Sequence, residues 1–177
     1  MLIILSGLPA TGKTTIARAL ARALPAVHLR IDTVEQAVVD TGLAEHPVGV
    51  IGYTVCHRIA RDQLRAGLNV IADSVNPLAV TREGWHGTAR EAGCPYLDVE
   101  VVCSDKGLHE ERSRSRSVDI PGLEPPDWQA IQDREYEPWV SERLVLDTAV
   151  LDLEECVRRV AEAVTGQPSR SIRSAMR

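Results

Sequence analysis

The chain has 177 residues, a formal net charge of −5 and no phenylalanine. That length holds one α/β domain with an aliphatic core and is short for two, and the acidic balance excludes a global field drawing the protein to nucleic acid or an anionic membrane. Cys56, Cys94, Cys103 and Cys156 form no C-x-x-C pair, so neither a zinc knuckle nor a redox dithiol is indicated, and no apolar run approaches membrane-spanning length.

Met1 leads directly into Leu2-Ile3-Ile4-Leu5, an apolar run of the kind expected for a central parallel strand. It leaves no room for a targeting leader, so a cytoplasmic protein is expected. Gly7-Leu8-Pro9-Ala10-Thr11-Gly12-Lys13-Thr14 then matches the pattern G-x-x-x-x-G-K-[ST] at every fixed position. Glycines let the backbone curl closely around a polyphosphate with successive amide N–H groups pointing inward. Lys13 adds a positive charge and Thr14 a hydroxyl for Mg²⁺. Thr15 to Leu24 reads as an Ala-rich helix with Ile16, Leu20 and Leu24 on one face, its positive end aimed at the same phosphates. Gly7 to Thr15 is therefore the expected nucleotide cradle.

Pro25 marks a break, and Val27 to Ile31 reads as a second strand delivering Asp32 at its carboxyl end. Ligands of open α/β sheets bind beyond those ends, which brings Asp32 beside the P-loop. It is either a catalytic carboxylate or the N-cap of the helix through Val34 and Val38, and the roles are compatible. After a polar break from Gly42 to Pro47, Val48, Ile51, Val55, Ile59 and Leu64 recur near helical spacing in a helix ending at Gly67. Arg58, Arg61 and Arg65 on it read as a solvated face rather than a phosphate site. Leu68 to Asp73 is an apolar strand closing on a carboxylate, the usual form of the second acidic group that supports Mg²⁺ in P-loop proteins. Asp73 joins the site on that reading, with capping of the next turn as its alternative. Beyond the turn Ser74-Val75-Asn76-Pro77, a helix runs through Thr81, Trp85 and Ala89.

Gly93 and Pro95 end that helix, and Tyr96 to Cys103 forms a strand whose Asp98 and Glu100 predict a position toward a sheet edge. Ser104 and Asp105 cap a short helix that enters Arg112-Ser113-Arg114-Ser115-Arg116, followed by a Gly/Pro stretch to Pro126. Residues 110–126 read as a mobile lid. Arg112 and Arg116 share a helical face from which they can close over a triphosphate, and a shifted register would exchange Arg114 for one of them. Asp127 caps a helix containing Trp128, Ile131, Arg134 and Glu135, where Arg134 reaches either the ligands or a neighbouring acid. Leu144-Val145-Leu146 is the last strand, and Asp152 to Val164 an amphipathic helix with Leu153, Val157, Val160 and Val164 inward. The domain is expected over 1–166, with 167–177 a mobile basic tail.

P-loop, strand ending in Asp32, helix pair, strand ending in Asp73 and Arg-bearing lid together resemble the small P-loop kinases. The likeness is to the group containing chloramphenicol phosphotransferase and the kinase domain of phage-type polynucleotide kinase. It runs from Met1 to about Val164, with the P-loop its one highly specific motif. The resemblance implies a three-layer α/β fold with a five-stranded parallel sheet in the order 2-3-1-4-5 and helices on both faces. It also implies that Asp32 accepts the proton of an attacking hydroxyl, that Arg112 and Arg116 are lid arginines, and that Asp73 helps orient acceptor or metal. It does not identify the acceptor, because Val34 to Tyr53, where such kinases hold it, carries no readable fingerprint.

The expected activity is transfer of the γ-phosphoryl group of ATP, with Mg²⁺, to a hydroxyl. Acidic net charge favours a small-molecule acceptor, while Arg58, Arg61, Arg65, the lid and the tail keep a polynucleotide 5′-hydroxyl open. The competing class is an ATPase or nucleotide-binding switch acting on a protein partner. The sequence lacks the guanine-reading N-K-x-D, which disfavours a GTPase switch.

Overall fold

Five parallel strands form one sheet in the order β2-β3-β1-β4-β5, in a computed structural model that describes residues 1–166. The strands are β1 (Leu2–Ser6), β2 (Ala26–Arg30), β3 (Asn69–Asp73), β4 (Tyr96–Val102) and β5 (Leu144–Asp147). The helices are α1 (Lys13–Ala23), α2 (Ile31–Asp40), α3 (Ile51–Arg65), α4 (Ala79–Ala92), α5 (Lys106–Ser115), α6 (Trp128–Gln132) and α7 (Leu153–Thr165). The strand order is the one implied by the kinase resemblance. The basic tail lies outside the described residues, and no helix among them is long and apolar enough to cross a membrane.

Every residue of β1 is buried, because successive side chains feed opposite cores. Ile3 and Leu5 pack with Ile16 and Leu20 of α1 and Val157 and Val160 of α7. Leu2 and Ile4 pack with Ile31, Cys56, Ala60 and Leu64 of α2 and α3 and with Trp85 of α4. The register sets Leu5 beside Asp73 and Asp73 beside Arg30, so β1, β3 and β2 end level with one another. The connections leaving β1 and β4 diverge, which opens a crevice beyond their carboxyl ends.

Four sequence expectations are corrected. First, α3 buries Gly52, Cys56, Ala60 and Leu64, whereas Ile51, Val55 and Ile59 stay exposed. Small residues let it approach its neighbours closely, so the buried stripe is the one that carries little hydrophobic signal. Second, β4 is not at an edge, since it pairs with β1 and β5. Asp98 and Glu100 are buried on it because distant partners meet them: His86 Nε2 lies 2.8 Å from Asp98 and Arg143 Nε 2.5 Å from Glu100. Third, α6 stops at Gln132, leaving Arg134 and Glu135 on the connection that follows. Fourth, Leu153 is exposed at the start of α7 although Val157 and Val160 are buried as expected.

The turn after β3 is built around Asn76, which is fully buried with φ at 46°. Its Nδ2 donates to the Leu5 carbonyl at 3.2 Å and the Ser6 hydroxyl at 3.0 Å. Its Oδ1 accepts from the Ser74 hydroxyl at 2.9 Å and Trp85 Nε1 at 3.1 Å. This side chain clamps the ends of β1 and β3 together and thereby positions Asp73. Arg82, also buried, donates to the carbonyls of Asn76, Pro77 and Glu137 and lies over the Trp139 ring, tying the segment after α6 to the same turn. Asn76→Ala strands these buried partners and is expected to cost about 1–3 kcal/mol, read as a lower midpoint in urea unfolding with an unchanged slope.

Candidate active site

The P-loop links β1 to α1, and its shape depends on two glycines. Gly7 has φ at 138°, and an added Cβ there would sit 2.1 Å from the Val101 carbonyl oxygen, so no other residue fits without moving β4. Gly12 takes φ at 101° just before the helix begins. Lys13 Nζ donates to the Leu8 carbonyl at 2.8 Å, and the Thr11 hydroxyl donates to the same oxygen at 2.9 Å. The amides of Lys13, Thr14 and Thr15 open α1 and have no carbonyl partners within it, which leaves a set of donors facing the loop.

The loop is braced from outside by residues that the motif does not contain. His109 of α5, buried, has Nε2 2.8 Å from the Pro9 carbonyl. The Thr148 hydroxyl lies 2.9 Å from the Thr11 carbonyl. Arg112 donates to that hydroxyl at 2.8 Å and to the Thr148 carbonyl at 3.1 Å. Neither His109 nor Thr148 carries a sequence signal, because each contacts the loop from far along the chain.

Asp73 ends β3, buried, with its Oδ2 3.1 Å from His28 Nε2 on β2. Burial alone would raise its pKa, but the His28 hydrogen bond, the charge of Lys13 and a bond from the Thr14 hydroxyl hold it below the ordinary carboxylate value. Lys13 is 8% exposed, and burial pulls its pKa down to about 8 against the opposing pull of Asp73 and Asp32. Thr14 and Asp73 thus supply adjacent hard oxygens at the foot of the loop, the donor type that Mg²⁺ takes. No group of three or more His, Cys, Asp or Glu among the described residues forms a ready cage. A cation there would draw its remaining ligands from phosphate oxygens and water, which is how Mg²⁺ is usually held in such sites.

Asp32 lies in the first turn of α2 and is no helix cap, because the cap position falls on Arg30 and no side chain bonds there. Its carboxylate is 43% exposed, opens on the cleft beside Lys13 and Asp73, and lies 3.6 Å from the Arg30 guanidinium. Arg30 in turn grips Asp119 at 2.9 Å, and Arg18 of α1 bonds the same carboxylate. These two guanidiniums hold Asp119 far below the ordinary carboxylate pKa and strap the chain after α5 across the P-loop helix. Arg112 and Arg116 both line the cleft, Arg112 from α5 and Arg116 from its C-cap. Arg114 instead pairs with Glu110 on the outer face at 2.6 Å.

The cleft measures about 1300 Å³. Beyond Asp32 its wall is formed by Glu35, His46, Val48, Tyr53, Val75, Glu124 and Arg134. Arg134 lies close enough to act on the charges of both Lys13 and Glu35. Of these residues the sequence singled out Arg134; Glu35, His46, Val48 and Tyr53 fall in the segment Val34 to Tyr53 that the kinase resemblance gives to the acceptor, without any of them being marked by a motif. Arg61 and Arg65 lie elsewhere, bonded to Glu91 on α4 at 2.9 and 3.1 Å.

Residues 2–122 match the family described as AAA domain. The probable adenylyl-sulfate kinase of Aeropyrum pernix is 30% identical over 170 residues, covering 86% of each chain. The adenylyl-sulfate kinase of Myxococcus xanthus is 29% identical over 140 residues, covering 69% of this chain and 72% of its own. Among solved structures, the APS kinase of Mycobacterium tuberculosis in complex with AMPPNP and APS superposes with a TM-score of 0.72 at 16% identity, covering 93% of this chain and 96% of its own.

Because the Lys13 charge is present below about pH 8 and lost above it, affinity for a nucleoside triphosphate should weaken as pH rises from 7 to 9. Calorimetric titration of the wild type and Lys13→Ala checks this: the wild type should show the decline and the variant a flat, weak profile.

Proposed function

The chain belongs to the AAA-domain family and is a P-loop kinase, and from that premise we propose that it transfers the γ-phosphoryl group of ATP to a hydroxyl of a small-molecule acceptor, with Asp32 as general base. The observation that carries this reading is the convergence of Lys13, Asp73 and Asp32 on one cleft from the ends of three adjacent strands. A hydrolytic switch needs the first two; the third, 43% exposed on the same cleft, suits a proton acceptor for an incoming hydroxyl.

In this mechanism the loop amides and Lys13 hold the β- and γ-phosphates, and Thr14 with Asp73 would hold Mg²⁺. The metal, when bound, neutralises charge on the phosphate oxygens. The acceptor oxygen forms the new bond to the γ-phosphorus, the bond from that phosphorus to the β–γ bridging oxygen breaks, ADP leaves, and the acceptor proton passes to Asp32. Arg116 and Arg134 face the charge that spreads over the transferring group, while Arg112 braces the loop through Thr148. Positioning and charge stabilisation supply most of the acceleration in such reactions.

Relatives named for adenylyl sulfate act on a small molecule, which supports a small acceptor in this chain. Engagement of Arg61 and Arg65 by Glu91, with an acidic net charge, weighs against a polynucleotide end. Asp32→Asn should keep nucleotide affinity while lowering kcat about 10²- to 10⁴-fold. Full turnover by that variant would remove Asp32 from the base role.

A further inference from the structure

Phosphoryl transfer as described makes no use of Glu35. This residue follows Asp32 by three positions on α2, so the two side chains share a helical face with Cβ atoms about 5–6 Å apart, and both line the cleft. Glu35 reaches that wall through a gap in α3. At Gly52 an added Cβ would lie 2.4 Å from its Cγ and 2.7 Å from its Oε1, so any larger residue would displace the carboxylate. Among the described residues no hydrogen bond or ion pair holds it.

The other charged and titratable groups lining this region are Asp32, His46, Tyr53, Glu124 and Arg134. His46 is bonded to Gln36 at 3.2 Å. Of the remaining cations of the cleft, Arg18 and Arg30 are committed to Asp119, Arg112 to Thr148 and Lys13 to the loop, and Arg116, at the C-cap of α5 and close enough to act on the Lys13 charge, serves the transferring phosphoryl group in the proposed mechanism. An acceptor bringing its own phosphate or sulfate would therefore face Asp32 and Glu35 with only Arg134 opposite. A cationic group would meet a half-buried carboxylate that Arg134 influences by its charge but does not hydrogen-bond. Building on the kinase reading, we infer that Glu35 binds an ammonium group of the acceptor, which is an amino alcohol such as an amino sugar or aminocyclitol, its reacting hydroxyl on Asp32 and its amino group on Glu35. Electrostatics agree, since burial and then the charge of Asp32 push the Glu35 pKa up to about 7 against the pull of Arg134, and a bound cation favours the charged carboxylate. Glu35 is on this view a specificity residue, separate from the chemistry.

The test uses acceptors in matched pairs that differ by one amino group in place of one hydroxyl, glucosamine with glucose and an aminocyclitol with its parent cyclitol, beside gluconate and adenylyl sulfate. Transfer from ATP is followed for wild type, Glu35→Gln and Asp32→Asn, and binding of each probe to the protein with a non-hydrolysable ATP analogue is measured by calorimetry. The wild type should prefer the amino member of a pair at least about tenfold in kcat/KM, mainly through KM, consistent with a charge-assisted pair. In Glu35→Gln, which preserves shape and removes charge, that ratio should collapse toward one while the KM for ATP stays put. Equal use of both members, or Glu35-independent transfer to gluconate or adenylyl sulfate, overturns the inference and leaves the kinase reading intact. If no acceptor is phosphorylated the kinase reading is the casualty, and calorimetry still decides for Glu35. Tighter binding of the amino probe that Glu35→Gln abolishes supports the inference, and indifference overturns it.

Discussion

A buried lysine governs this molecule. Lys13 stands at the carboxyl edge of the sheet, taken out of water by the loop that folds over it. Desolvation makes its charge expensive, and its pKa falls to about 8 in consequence. The charge survives at neutral pH because the chain surrounds it with acceptors: the Leu8 carbonyl at 2.8 Å and the carboxylates of Asp73 and Asp32. The same arrangement makes the pocket ready for a polyphosphate, whose negative charge adds to that of the two carboxylates in offsetting the cost of burying the cation.

The surrounding architecture holds these charges in register. Parallel pairing brings Asp73 level with Leu5 and Arg30, so the carboxylate beside the lysine is fixed by backbone ladders on both sides. Asn76 closes the turn behind it, and Arg82 draws the segment bearing Arg134 to the same turn. On the far side, His109 and Thr148 brace the loop, and Arg112 reaches it through Thr148. The strap after α5 is latched by Asp119 between Arg18 and Arg30, and Arg30 also faces Asp32. Movement of that strap would therefore be felt at the carboxylate proposed to take the acceptor's proton.

How far the sequence disclosed this follows from the range of each interaction. The P-loop is a local device, eight consecutive residues whose spacing states its own chemistry, and Asp32 and Asp73 could be read because apolar strands end on them. Strand order came from the resemblance to small P-loop kinases, not from periodicity. Where partners lie far apart, the reading failed. Asp98 and Glu100 suggested an edge because nothing nearby announced His86 or Arg143 as their counterions. Cys56 and Ala60 were passed over on α3 in favour of larger side chains, since close packing of small residues leaves no hydrophobic stripe. Glu35 was invisible for a related reason: its unusual setting is created by the absence of a side chain at Gly52, on another helix.

The most direct test of the account is where the γ-phosphoryl group goes. Phosphorus NMR of the protein with ATP, Mg²⁺ and a mixture of small hydroxyl compounds reads the fate of that group atom for atom. The account predicts a phosphomonoester signal that grows in step with ADP and is lost in Lys13→Ala. ADP matched only by inorganic phosphate, whatever acceptor or protein partner is supplied, would contradict it.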